Sequence, residues 1–232
     1  AMTRGRHLVR LVDTGRFSAL ELEWLISQGA DIYTSDEVRT DVREVETLNA
    51  AAKKGKAVLA FFVRKSWDEK GAEASWDFSD LLNLARSGVY LHVSNREDVR
   101  DFRGMEMLAD ACRAGGGWLV SYHHGPLDPQ LIRVAENGAW IHVSDRSFGA
   151  PESEPMIEAL IRAALAAGSN LVVHWEKGMS LLLLEEVVRK GAIVLLPRAR
   201  FDFKSPYRKI ERRCRRQKLD FRAYYLAPSV LP

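Results

Sequence analysis

Three places in the 232-residue sequence put a proton-active or metal-capable side chain two residues ahead of a glycine: Asp13-Thr14-Gly15, His123-His124-Gly125 and Glu176-Lys177-Gly178. Carboxylates and imidazoles transfer protons near neutral pH or hold a divalent ion. His174 stands one strand period before Glu176, and Arg64-Lys65-Ser66 breaks the same pattern with cations. Arg96 and Arg146 occupy matching places in the near-copies "YLHVSNRE" and "WIHVSDRS". Arginine forks suit phosphate and carboxylate alike. The set predicts an enzyme acting on a phosphorylated or otherwise anionic small molecule. Asp13, His123 and Glu176 would act as acid and base or hold a metal, and Lys65, Arg96 and Arg146 would fix the anion. Each feature has a plainer reading. Polar strand ends also cap loops, and Arg96 and Arg146 also suit Glu97, Asp98 or Asp145. His92 and His142 also read as core histidines hydrogen-bonded to neighbouring serines.

The elements that must position these residues come from a repeat. Gly29, Gly55, Gly88, Gly117, Gly138, Gly168 and Gly191 each close a helical pattern and open a short apolar run. Glycine suits the helix C′ position because φ is positive there. The runs are 30–36, 57–64, 89–95, 118–124, 139–145, 170–176 and 192–198, with 7–13 opening the chain. They are Val/Ile/Leu-rich with little alternation, as strands buried on both faces should be. Helical patterns lie between them, and Ser205 with Pro206 predicts an eighth helix to about Leu219. Eight strands alternating with eight helices predict an α/β fold, a single (β/α)8 TIM-type barrel over residues 1–232. An open doubly wound sheet is the alternative, while an ankyrin array is excluded because it has no place for "AVLAFFV" or "WLVSYHH". Residues 221–226 read as a ninth strand or as part of a tail, 220–232, packed on the barrel. In a barrel, the C-terminal strand ends carry the chemistry, which is where the residues above fall.

Composition sets outer limits. Hydrophobic residues are 47% and charged residues 28%, a globular balance with a net charge of only +3. Two cysteines, Cys112 and Cys214, cannot build a disulfide framework and suit a reducing compartment, so a cytoplasmic protein is expected. No apolar run, the leucines of 181–184 included, comes near the length of a membrane span. The N-terminus has no signal-peptide pattern, and Ala1 before Met2 reads as a cloning remnant. There is no phosphate-binding glycine loop, dinucleotide fingerprint, nucleophile elbow or helical two-histidine zinc spacing, so no nucleotide cofactor is expected.

The stretch "SALELEWLISQGADIYTSDEVRTDVREVETLNAAAKKGKAVLAFFV" resembles the opening of PHP domains, the polymerase and histidinol phosphatase superfamily. Thr34-Ser35-Asp36 stands near that family's Thr-Asp-His. The second half, "RGMEMLADACRAGGGWLVSYHHGPLDPQLIRVAENGAWIHVSDRSFG … GSNLVVHWEKG", resembles the p30 subunit of ribonuclease P, an RNA-associated, metal-free relative. The resemblance covers about residues 7–195 and is one of pattern more than identity. It implies a barrel and metal-assisted phosphoester hydrolysis. PHP enzymes carry His-x-His at the end of the first strand, where this chain reads Leu11-Val12-Asp13, and the histidine of Thr-Asp-His is missing. What the resemblance leaves is a reduced site of Asp13, His123, His174 and Glu176, a donor set suited to zinc, manganese or iron.

Charge is uneven. Residues 198–222 hold eleven basic and three acidic residues, a net +8, which leaves −5 for the rest. On a helical wheel Tyr207, Ile210, Cys214 and Phe221 share one side and the cations cover the remainder. The plain reading is a solvated last helix. The functional alternative is a non-catalytic barrel that binds RNA or a protein partner through Arg212, Arg213, Arg215 and Arg216.

Overall fold

The computed structural model describes residues 9–64, 76–95, 101–148, 153–176, 180–197 and 221–224. The expected helix 205–219 lies outside them. The chain divides into two compact units, Ala1–Val93 with Asp110–Leu119 and Ser94–Ala109 with Val120–Pro232. Eight parallel strands alternate with helices, the α/β succession that the glycine-punctuated repeat predicts.

In the first unit the order is β1 (Arg10–Val12), α1 (Ala19–Ser27), β2 (Asp31–Ser35), α2 (Val42–Gly55), β3 (Leu59–Val63), α3 (Phe78–Arg86) and β4 (Tyr90–Ser94). These strands pair consecutively and in parallel. The helices start where side chains satisfy the free N–H groups of a first turn. Ser18 and Glu21 form a reciprocal capping box on α1, and Asp41 and Asp77 cap α2 and α3. Leu22, Ile26, Val45, Leu48, Leu81 and Leu84 of these helices are fully buried, as are Ile32, Phe61 and Leu91 of the strands. Each such side chain contributes about 1.5–3 kcal/mol by leaving water. The helix α4 (Phe102–Gly115) crosses the boundary between the units, as does β5 (Trp118–His123), which follows it.

The second unit continues with α5 (Gln130–Glu136), β6 (Trp140–Ser144), a 3-10 turn at Asp145–Phe148, α6 (Ser153–Ala166), β7 (Leu171–His174), α7 (Leu181–Arg189), β8 (Ile193–Pro197) and β9 (Phe221–Tyr224). Strands β5 to β9 pair consecutively and in parallel. Residues 221–224 thus form a ninth strand beside β8, one of the two readings the sequence allowed. Leu131, Val134, Leu160, Ala164, Leu184 and Val188 of the helices are buried, as are the alternate strand residues Ile141, Val143, Val173 and Val194. Strand period two leaves Trp140, His142, Val172, His174, Ile193 and Leu195 on the opposite face. There Val172, Ile193 and Leu195 form an apolar cluster with Trp140 packed against it.

Two glycine positions differ from expectation. Gly55 is the last residue of α2, and Lys56 takes the left-handed conformation, φ 55°, in its place. A Cβ on Gly55 would stand 2.8 Å from the Ile26 carbonyl oxygen, so the residue is glycine to let α1 and α2 approach. In Gly115-Gly116-Gly117 only Gly116 has positive φ, while Cβ atoms on Gly115 and Gly117 would lie 2.4 and 2.1 Å from the carbonyls of Arg86 and Val89. The run is a place of backbone contact as well as a helix stop.

Candidate functional site

Asp13 follows β1 directly, and its side chain is wholly buried. Its two oxygens accept four hydrogen bonds: Arg39 Nε at 2.7 Å and Nη2 at 3.1 Å, Thr34 Oγ1 at 3.0 Å and the Gly15 amide at 2.9 Å. Arg39 also donates to Glu44 Oε1 at 2.7 Å and to the Phe17 carbonyl. Burial works to raise the Asp13 pKa. The hydrogen bonds from Arg39, Gly15 and Thr34, with the Arg39 charge, overcome it and hold the carboxyl below its ordinary 3.8. The guanidinium therefore occupies the carboxylate as a cation would, and no lone pair of Asp13 is left for a metal or for a substrate proton.

His123 ends β5 and is also committed. Its Nε2 lies 2.7 Å from the Pro126 carbonyl, which can only accept, so Nε2 carries the proton. Nδ1 then accepts from Asn95 Nδ2 at 3.2 Å. Both ring nitrogens of this buried histidine hold the turn after β5. Glu176 is different: it is exposed and pairs with Arg146 at 3.3 Å, both groups in contact with water. Such a pair is weak and open to exchange. Of the other expected residues, Lys65, Arg96, Arg212, Arg213, Arg215 and Arg216 lie outside the described residues.

The expected metal set of Asp13, His123, His174 and Glu176 does not fit an ion. The lone pairs of Asp13 and His123 are spent as above, and among the described residues no group of three or more His, Cys, Asp or Glu stands together as ligands. What the structure does bring together is a histidine pair. His142 of β6 and His174 of β7 meet at 2.9 Å between Nδ1 and Nε2. The register sets Tyr122 opposite His142 and His142 opposite Val172, so His174 projects one residue pair beyond. The Tyr122 ring lies 4.7 Å from His142 and 6.4 Å from His174, centroid to centroid. Burial, and then the nearby charge of His124, lower the His174 pKa to about 4. The apolar cluster of Val172, Ile193, Leu195 and Trp140 forms the floor of this face.

The first unit has a counterpart with a single histidine. Tyr33, Phe62 and His92 from β2, β3 and β4 line up with centroids 6.2 and 4.4 Å apart. Burial lowers the His92 pKa to about 3, so this ring is a neutral member of an aromatic row.

A clamp repeated at the strand ends holds both regions. The residue after each of β2, β4 and β6 uses its side-chain oxygen to accept a backbone N–H just beyond the next strand. Asp36 takes Arg64 N at 2.9 Å, Asn95 takes His124 N at 2.6 Å and Asp145 takes Glu176 N at 2.7 Å. The strings "TSDE", "VSNR" and "VSDR" carry this signal, with the clamping residue third in each.

No family model matches the chain, and no curated protein matches it. Among solved structures it is similar to the 3-dehydroquinate dehydratase from Aquifex aeolicus VF5, at 12% identity over 94% of this chain and 99% of that chain, with a TM-score of 0.44. It is similar to citrate synthase SbnG at 12% identity over 90% and 91%, TM-score 0.42. It is also similar to deoxyribose phosphate aldolase from Aeropyrum pernix at 14% identity over 72% and 74%, TM-score 0.40. Likenesses this distant carry no activity, substrate or residue role to this chain.

Proposed function

We propose that the chain is an acid–base enzyme for an anionic small molecule, working at the strand ends of β5 to β7. His142 and His174 transfer the proton, and Arg146 receives the anion. The observation that carries this reading is the 2.9 Å contact between the two imidazoles. In that contact one ring donates its N–H and the other accepts with a lone pair. A proton taken up by either ring is shared across the contact, so its charge spreads over two imidazoles. With its pKa near 4, His174 enters the pair as a neutral ring. Among the described residues the Arg146 guanidinium pairs with exposed Glu176, and a substrate phosphate or carboxylate can displace that partner. The test is incubation in D2O with a panel of phosphorylated sugars and hydroxycarboxylates. The chain should exchange or turn over at least one member, and His142→Gln or His174→Gln should lower that rate by about 10²–10⁴-fold. Equal rates in both variants contradict the reading.

A second reading rests on the net +8 of residues 198–222: a surface for a phosphate backbone or an acidic partner. Nucleic-acid affinity that falls steeply with salt supports it, with a shallower slope after Arg212, Arg213, Arg215 and Arg216 are changed to Gln. No RNA or DNA binding at low salt removes it.

A further inference from the structure

We propose that the first unit carries a ligand site of its own: an oxyanion subsite at Arg64 beside the Tyr33–Phe62–His92 row, fitted to a small carboxylate or phosphate ester with a flat apolar body. Arg64 follows β3 and lies two residues past Phe62, so strand period puts both side chains on one face. Its guanidinium carbon is 5.9 Å from the Phe62 ring centroid. Its backbone is fixed, because the amide donates to both oxygens of Asp36 at 2.9 and 3.1 Å. Its Nε is buried and has no hydrogen-bond partner among the described residues. Buried polar atoms are nearly always paired, and a guanidinium N–H can only donate, so the missing partner is an acceptor. The edge formed by Nε–H and the neighbouring Nη–H matches two oxygens of a carboxylate or phosphate. Tyr33, Phe62 and His92 are each partly accessible, which leaves aromatic surface for the body of the ligand. His92, held neutral by burial, adds no charge to that surface. The site is independent of the histidine pair, since it asks for binding and not for turnover.

The test titrates benzoate, phenyl phosphate and inorganic phosphate separately into the full chain while the Arg64 Nε–H resonance is followed by NMR. Benzoate against phenyl phosphate decides which oxyanion the subsite takes. At least one of the two should shift the resonance saturably, and inorganic phosphate should bind about tenfold more weakly for want of a ring contact. Arg64→Lys, which keeps the charge and loses Nε, should weaken the preferred aromatic anion by about tenfold or more, with the fold checked by circular dichroism. Phe62→Leu should weaken it by several-fold. Absence of a saturable shift with all three probes overturns the proposal without any variant. So does equal affinity in a folded Arg64→Lys protein. Inorganic phosphate binding as tightly as phenyl phosphate overturns the aromatic part of the site.

Discussion

In the first unit, Asp13 and Arg39 stand at the strand end as a full ion pair, with four donors on the two carboxylate oxygens. In the second unit, His142 in the middle of β6 and His174 at the end of β7 are two half-buried rings whose nitrogens meet at 2.9 Å. The first pair cannot change its protonation without losing an internal cation's partner. Two ionisable side chains near each other are thus poor evidence of chemistry until their lone pairs are counted. A saturated pair fixes the loops around it, whereas a contact between two imidazoles has one ring donating and the other accepting.

The sharpest way to break this contrast is Arg39→Met. It leaves Asp13 buried without a counter-charge, and stability should fall by about 3–5 kcal/mol in denaturant unfolding. A loss below about 1 kcal/mol would mean that the pair is not the closed lock described. Next in size is Asp145→Ala in the second unit. It orphans the Glu176 amide and should cost about 1–3 kcal/mol. Because Glu176 pairs with Arg146, it should also move the proposed anion group. Glu176→Gln should change stability by no more than about 0.5 kcal/mol, since both partners are exposed. A large loss there would make Glu176 structural and remove the distinction between the two regions.

The pH dependence divides the same way. His92 and His174 have pKa values lowered from the ordinary 6.5 to about 3 and about 4. Between 6.5 and those values the unfolded chain binds more protons than the folded one, so stability falls as pH drops through that window. It is fully present above about 6.5. Asp13 adds a further loss only below its ordinary 3.8, as the pH falls through its lowered pKa. Urea midpoints measured from pH 7 to pH 4 should decline, and His174→Gln should flatten part of that decline. A curve level over this range would contradict burial of the two histidines.

Much of the fold was legible because local rules wrote it. The apolar runs 30–36, 89–95 and 139–145 enclose β2, β4 and β6, and Gly29, Gly88 and Gly138 have the positive φ that the repeat implies. Gly55 and Gly117 misled as helix stops, since their reason is a close backbone approach between segments distant in sequence. The site was less legible for the same cause. Asp13 and His123 do fall at strand ends, but the groups that consume them, Arg39 and Asn95, lie 26 and 28 residues away with no local mark. His142 read as a core histidine bonded to a serine because its partner, His174, lies 32 residues on in the next strand. Period two gave the side each residue faces. It could not give the pairing of individual nitrogens.

The proposed sharing of a proton between His142 and His174 is tested most directly by imidazole ¹⁵N–¹H NMR across a pH titration. The His174 ring should stay neutral from pH 7 down to about pH 4, and His142→Gln should shift its Nε2 resonance and its titration. A His174 that titrates near 6.5 and ignores the His142 substitution would contradict it.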